Sequence, residues 1–381
     1  MTPQYSSIKI ALFFTNNMSL KEWDDLGIFD REVSLYERQI ELGLTVKFIT
    51  YGNSFDITYQ DRLPEIELLC NKWNFPNYLY KKSLPYLHRR ALKLCDLIKT
   101  NQMEGSDIAL RSAIKWGKPL IARMGYFWSE FSENQKRSRR YVKKVLNIEE
   151  RVFQFSHRIV VTTNRMKKSI ADRFPEYETK IVVIPNYVET KLFSPAFDDK
   201  KQFDVIFVGR LTYQKNVSAL LTALTELDVK SLIVGNGELR DELQTQYGDA
   251  NGKIRWEGNV SNSGLPSLMN RSRLFVLPSH YEGHPKSLIE AMSCGMPVIG
   301  ADSPGIREII HHGVNGFLCG TDSESIRRFI QELLDNRGLS KSLGKNARQY
   351  VLDHFSLDRV LKMEYRLYRE VINDYASQVF N

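Results

Sequence analysis

The chain has 381 residues, 42% of them apolar and 26% charged, with a formal net charge of +8. That length exceeds one ordinary domain and suits two, and the apolar share is enough for two cores. Cys70, Cys95, Cys294 and Cys319 show no CxxC spacing, which argues against a disulfide frame or a zinc site and leaves no metal assigned. The charge is uneven: residues 1–190 hold 30 Lys and Arg against 22 Asp and Glu, and the remainder balances.

The first apolar run, Ile8 to Phe14, is too short for a signal peptide's core plus flanks, and no stretch reaches transmembrane length. A cytoplasmic protein is expected, soluble or peripheral at the inner face of a membrane. Ile8 to Phe14 instead reads as a buried strand. A polar loop, Thr15 to Gly27, leads to a helix over Phe29 to Leu42 closed by Gly43, and Val46 to Tyr51 forms a second strand. Helical spacing resumes near Leu84 to Ile98, with further strands at Asp107 to Leu110 and Pro119 to Ala122. Arg123 and Tyr126 follow the last of these at a carboxyl edge, where ligands bind in open α/β sheets. Arg123 suits an anionic acceptor or donor carboxylate, and it equally suits a structural role.

Lys136, Arg137, Arg139, Arg140, Lys143 and Lys144 place six cations in nine residues, interleaved with Tyr141, Val142 and Val145. This pattern fits a basic amphipathic helix drawn to anionic lipid, and it also fits a solvated helix face. No aromatic RNA platform, helix-turn-helix or zinc spacing accompanies it, so nucleic acid is not expected as a partner. Arg158 to Thr163 is the next strand, a helix opens at Asn164, and Ile181 to Ile184 leads to Phe193-Ser194-Pro195. The hydrophilic stretch Ala196 to Gln202 marks the expected boundary between a first domain at 1–195 and a second at 203–355.

In the second half, strand Phe203 to Val208 ends in Gly209-Arg210-Leu211, with Lys215-Asn216 four residues on and a helix from Val217 to Leu227. Two cations five residues apart flank this loop, and a diphosphate needs fixed cations when no metal is supplied. Leu232 to Val234 runs into Gly235-Asn236-Gly237, a weak phosphate signal taken alone. Ile254 to Gly258 is followed by Asn259-Val260.

Leu274 to Leu277, a loop from His280 to His284, a helix from Pro285 to Cys294 and a strand from Pro297 to Gly300 make a βαβ unit. Its loop sits at the carboxyl edge, and the helix start at Pro285, Lys286 and Ser287 suits a phosphate. Glu282 precedes that helix and Glu290 lies about one and a half turns inside it. Either carboxylate can accept paired hydrogen bonds from vicinal hydroxyls of a ribose or a sugar.

Glu282-Gly283 followed by Glu290-Ala291-Met292-x-Cys294-Gly295-x-Pro297-Val298 resembles the E-x7-E signature of the retaining nucleotide-sugar glycosyltransferases of family 4. Pro304-Gly305-Ile306-x-Glu308-Ile309-Ile310 and Gly313-x-Asn315-Gly316-Phe317 continue that pattern. The resemblance implies an α/β fold of GT-B type: two Rossmann-like domains facing each other across a cleft, with a last helix, 356–381, returning to the first. It implies that Gly209, Arg210 and Lys215 grip the donor diphosphate, with Gly283, His284, Pro285, Lys286 and Ser287 around it. Glu290 would hold the ribose, Glu282 the transferred sugar, and Asn259 and Val260 would lie beside the nucleobase.

Three positions depart from the family pattern. Gly27 stands alone where relatives often pair glycines, Arg123, with Tyr126 nearby, stands in a region where many carry a histidine, and Tyr187 replaces a frequent glycine. Gly27, Arg123 and Tyr126 are the acceptor-side candidates. The expected activity is retaining, metal-independent transfer of a hexose-type sugar from UDP, with GDP as second choice, to a glycan or lipid-linked acceptor. No cofactor is needed, since the nucleotide sugar is a substrate. An epimerase or phosphorylase of this fold, or a non-catalytic scaffold, are the alternatives.

Overall fold

Short runs of Ile, Val, Leu and Phe bounded by Gly, Pro and Asn form strands buried on both faces, as parallel sheets require. The computed structural model describes residues 8–196, 201–248 and 252–380, and it falls into two compact units. The first takes the chain up to Asp25, Arg31–Pro185 and everything from Leu361; the second takes Leu26–Asp30 and Asn186–Val360.

The first unit holds β1 (Lys9–Phe13), β2 (Thr45–Asn53), β3 (Glu67–Asn71), β4 (Leu97–Thr100), β5 (Leu120–Met124), β6 (Arg158–Val161) and β7 (Ile181–Val183). They form one parallel sheet in the order β3-β2-β1-β4-β5-β6-β7. The order reverses between β1 and β4. The strand expected at Asp107 to Leu110 lies instead in the helix Ser106–Trp116, bracketed by Gly105 and Gly117. Four apolar-leaning residues are too few to separate the two periods; the helix shows itself only over eleven, with Ile108, Ala109, Ser112 and Ala113 buried. Correspondingly, the end of the helix expected over 84–98 is β4, whose four residues are all buried.

The second unit holds β8 (Phe203–Val208), β9 (Ser231–Val234), β10 (Ile254–Glu257), β11 (Ser272–Leu277), β12 (Val298–Ala301) and β13 (Phe317–Cys319), parallel in the order β10-β9-β8-β11-β12-β13. Here the order reverses between β8 and β11. The chain therefore forms two Rossmann-like α/β domains, the GT-B pair of folds.

The units part at Pro185, ahead of the hydrophilic stretch, of which residues 197–200 lie outside the described residues. Residues 186–195 go with the second unit because they pack there. Phe193 is fully buried, the Val188 N–H bonds to Phe355 O at 2.9 Å, and Ser293 Oγ donates to Phe193 O at 2.6 Å. At the other end, the helix Leu357–Phe380 joins the first unit from Leu361 on, where buried Glu364 pairs with buried Lys99 of β4.

The basic run does not form one continuous helix. Ser138 Oγ caps the helix Arg139–Phe155 by accepting the Tyr141 N–H at 3.3 Å, so Lys136 and Arg137 precede it. Val142 and Val145 face the core, leaving Tyr141 as the exposed apolar residue among the cations. Glu149, just beyond the cations on the same helix, is buried and accepts the Ser129 N–H at 3.1 Å. Burial holds its carboxyl above the usual range. Among the described residues no helix is long and apolar enough to cross a membrane.

Candidate functional site

Reversal of strand order opens a crevice at the carboxyl ends of the two central strands. In the second unit those strands are β8 and β11, and the loops leaving them are 209–216 and 278–285. Backbone and amide bonds tie the two loops together. The His280 N–H donates to Gln214 O at 2.9 Å, and Gln214 Nε2 returns a bond to Tyr281 O at 2.8 Å. Asn216 Nδ2 donates to Pro278 O and to Thr321 O, at 3.1 and 2.7 Å.

This braid brings two of the sequence candidates into contact. Lys215 Nζ lies 2.5 Å from Glu282 Oε1, with only 13% and 7% of the two side chains exposed. A pair so screened from water interacts more strongly than a surface pair, because fewer water dipoles oppose it. Arg210 stays exposed on the same loop, and its charge reaches Tyr281, whose hydroxyl burial holds above its ordinary pKa.

The Glu282 loop is fixed from behind. Its N–H donates to Pro304 O at 2.9 Å, and Gly305 approaches so closely that a Cβ there would lie 2.4 Å from Glu282 O. The Gly235-Asn236-Gly237 motif has a similar explanation. A Cβ at Gly235 would sit 2.1 Å from Gly209 O, and one at Gly237 2.3 Å from Leu211 O. The motif supports the 209–216 loop by close backbone approach.

The helix that follows the Glu282 loop runs over Lys286–Ser293, with Pro285 as its N-cap instead of its first turn. Pro285 has ψ 113, an extended value, so helical dihedrals begin one residue later. Lys286 and Ser287 open the helix half-buried, at the positive end of its dipole. His284 is turned inward: its ring packs edge-on against Phe355 at 4.8 Å, and its carbonyl accepts from Asn186 Nδ2 at 2.6 Å. That placement fits a support for the loop better than the expected phosphate contact. Lys286 Nζ stands 5.9 Å over the Tyr187 ring.

Glu290 is almost fully buried on this helix, and its Oε1 accepts from Asn262 Nδ2 at 3.0 Å. Asn262 also gives its N–H to Gly27 O at 3.0 Å. Gly27, an acceptor-side candidate in the sequence, clusters with the second unit beside Val260. The reason is steric: Gly27 has φ +68, and a Cβ there would lie 2.6 Å from Val260 O. Asn259 and Val260 lead from β10 into this same corner. Asn262 and Gln214 carried no spacing signal in the sequence, and Asn216 appeared there only as the neighbour of Lys215.

In the first unit, Arg123 occupies the carboxyl half of β5. Its N–H donates to Thr100 Oγ1 at 2.9 Å and its Nη1 to Asn101 O at 3.4 Å, so the neighbouring strand β4 holds it. Tyr126 follows, its ring 5.1 Å from Phe131. The cysteines are inert: all four are buried, and burial pushes Cys294 and Cys319 up to about 12.

Two family models cover most of the chain. Residues 33–192 match the model described as Glycosyltransferase Family 4, and residues 188–350 match Glycosyl transferases group 1. An uncharacterized glycosyltransferase of Methanocaldococcus jannaschii is 28% identical over 56% of this chain and 60% of its own length. An Escherichia coli UDP-Gal:alpha-D-GlcNAc-diphosphoundecaprenol alpha-1,3-galactosyltransferase is 27% identical over 72% of this chain and 76% of its own. The matched stretch spans 60 to 63% of the length of several of these curated relatives. Among solved structures, sucrose-phosphate synthase from Thermosynechococcus elongatus superposes with a TM-score of 0.78 at 19% identity, covering 96% of this chain and all of that one. Anabaena HepE in complex with UDP and glucose gives 0.75 at 18%, covering 95% of this chain and all of that one.

Proposed function

Because the chain belongs to the family 4 glycosyltransferases of GT-B fold, we propose that it is an active transferase taking a hexose-type sugar from a nucleoside diphosphate to a glycan or lipid-linked acceptor. The observation that carries this reading is the largely buried Lys215–Glu282 pair beside exposed Arg210 at the β8/β11 switch point. A carboxylate for sugar hydroxyls and two cations for a diphosphate stand within one pair of loops. UDP is favoured over GDP, in keeping with the UDP-galactose named for the Escherichia coli relative and the UDP in the Anabaena complex.

In the proposed step the bond from the sugar's C1 to the β-phosphate oxygen breaks, and the acceptor oxygen bonds to C1 from the same face, retaining configuration. The acceptor's proton passes to the departing phosphate oxygen. Negative charge grows on the diphosphate, where Arg210, Lys215 and the amides at Lys286 and Ser287 stabilise it. Glu282 faces the sugar, and Glu290, held by Asn262, takes the ribose hydroxyls. Neutralisation by two fixed cations makes the proposed reaction metal-independent. Arg123 and Tyr126 are assigned to the acceptor.

A panel of UDP- and GDP-sugars, read by calorimetry and by nucleotide release with glycan acceptors, tests the reading. At least one donor is expected to bind and to yield a product with the donor's anomeric configuration. Failure of every donor to bind, or an inverted product, would refute it.

A further inference from the structure

The closest run of exposed large apolar residues in the described part of the first unit lies where the sequence showed no motif. From Leu68 to Cys95 the chain has no Asp or Glu and six Lys and Arg across 28 residues. Beyond the end of β3, residues 72–79 are all exposed, and they include Trp73, Phe75, Tyr78 and Leu79, with Tyr78 69% exposed. The segment is shaped by its own contacts. The Trp73 and Phe75 rings stack with centroids 6.3 Å apart, and Asn71 bonds Phe75 through both its amide atoms, at 2.6 and 3.0 Å.

The helix Asn77–Leu87 then turns Tyr80 and Leu84 inward, which leaves Tyr78, Lys82 and Tyr86 outward at helical spacing. Exposed Arg89, Arg90 and Lys93 follow on the helix Arg89–Leu94. The turn leaving β2 on the same edge adds exposed Phe55 and Ile57. Bulky apolar side chains with polar tips, amid cations and with no carboxylate between Leu68 and Cys95, suit the headgroup layer of an anionic bilayer. The helix Arg139–Phe155 offers charge but spends Val142 and Val145 on the core.

We propose that this face docks on an anionic lipid bilayer, with Trp73, Phe75, Tyr78 and Leu79 entering the headgroup layer and the surrounding cations meeting lipid phosphates. The proposal rests on the lipid-linked acceptor proposed above. The face borders the carboxyl edge that carries Arg123: Asn77 Nδ2 and Lys81 Nζ both bond to Asn17 Oδ1, in the loop after β1, at 2.9 and 2.5 Å. An amphiphilic acceptor would reach that edge from the membrane.

The test uses the full chain with vesicles of phosphatidylglycerol and phosphatidylcholine, or phosphatidylcholine alone, read by co-sedimentation and tryptophan emission. Anionic vesicles are expected to bind at least about tenfold more tightly than neutral ones, with a blue shift that Trp73→Phe removes. Trp73→Ser with Phe75→Ser and Leu79→Ser, and separately Lys82→Glu with Arg89→Glu and Arg90→Glu, should each lower binding about tenfold or more. Both variants should keep donor affinity, because the donor residues lie in the other unit; that arm fails by itself if the functional reading is wrong.

The proposal is overturned if wild type ignores anionic vesicles, or if the folded variants bind like wild type. It is overturned too if Arg139→Glu with Arg140→Glu and Lys143→Glu alone abolishes binding. Concentration-dependent dimerisation lost in the Trp73 variant would assign the face to a second copy of the chain instead.

Discussion

Replacing Gly305 by Ala adds one methyl group, and its consequences can be worked from the contacts around it. The residue has φ +84, and the new Cβ would lie 2.4 Å from Glu282 O, 2.6 Å from Glu282 C and 2.7 Å from Gly283 O. Ordinary contact for such atoms begins near 3.4 Å. All three neighbours are backbone atoms, so no flexible side chain can yield. The Glu282 loop must retreat by about 1 Å, and a misplacement of that size at a reacting group costs on the order of 10²-fold in rate.

The left-handed backbone adds about 1–2 kcal/mol of strain for Ala, felt as lost stability. Gly313→Ala separates the two effects: it shares a left-handed backbone, φ +75, but a Cβ there meets nothing within 4 Å. Nucleotide release with the best donor, alongside denaturant unfolding, is the assay. Both variants should lose stability from backbone strain, Gly305→Ala the more because of its clashes, and only Gly305→Ala should lose turnover. Wild-type turnover in folded Gly305→Ala, or an equal loss in Gly313→Ala, would refute the reasoning.

Arg210→Ala and Lys215→Ala are each expected to lower turnover at least roughly tenfold with the fold intact, as loss of a fixed charge contact does; wild-type rates in either would remove that residue from the diphosphate site. Activity should survive exhaustive chelation, and a loss restored by magnesium or manganese would overturn the metal-independent mechanism. Burial lowers His88 from 6.5 to about 4, so the unfolded chain takes up its proton before the folded one does. Stability from this group is full above the unfolded value and falls as pH drops from 6.5 toward 4, by roughly 3 kcal/mol in all. Urea unfolding of wild type and His88→Phe at pH 7 and 4.5 checks it, and identical pH dependence would disprove it. Lys99→Ala or Glu364→Ala alone should cost about 3–5 kcal/mol by leaving one buried charge, whereas Lys99→Met with Glu364→Leu should cost far less; equal losses in calorimetric unfolding would count against this.

The second unit was the more legible half. Its strands are uniform apolar runs, and Arg210, Lys215, Glu282 and Glu290 are picked out by their spacing together with the family resemblance. What spacing does not contain is the braid between loops. Gln214 and Asn216 act through amides on a loop about 65 residues away, and Asn262 reaches Glu290 from an unremarkable turn. The first unit misled where runs were short: Asp107 to Leu110 satisfies either period, and β4 contains a charged lysine that belongs to a core. The basic run drew attention because charge is visible in sequence, while exposure is not. Trp73 and Phe75 look like core residues until the structure places them outside.

Lys99 also links the returning helix to the residues that hold Arg123, the acceptor residue proposed above. Its ammonium reaches Glu364 and the Tyr368 hydroxyl, the latter at 3.0 Å, and Gln39 Nε2 donates to the same hydroxyl at 3.1 Å. Burial lowers the Lys99 pKa and the Arg123 charge pushes the same way, so only the Glu364 partner opposes both. A helix displaced by one turn would strand that cation in the core, which gives the pair a hold on register that apolar packing lacks. The next two residues of the chain, Thr100 and Asn101, are the ones that hold Arg123 through its N–H and its guanidinium. Loss of Glu364 therefore acts on the end of β4 first, and through it on Arg123, while Lys215 and Glu282 belong to the other unit and keep their contact. A defect that raises acceptor KM and spares donor affinity is the signature this connection requires.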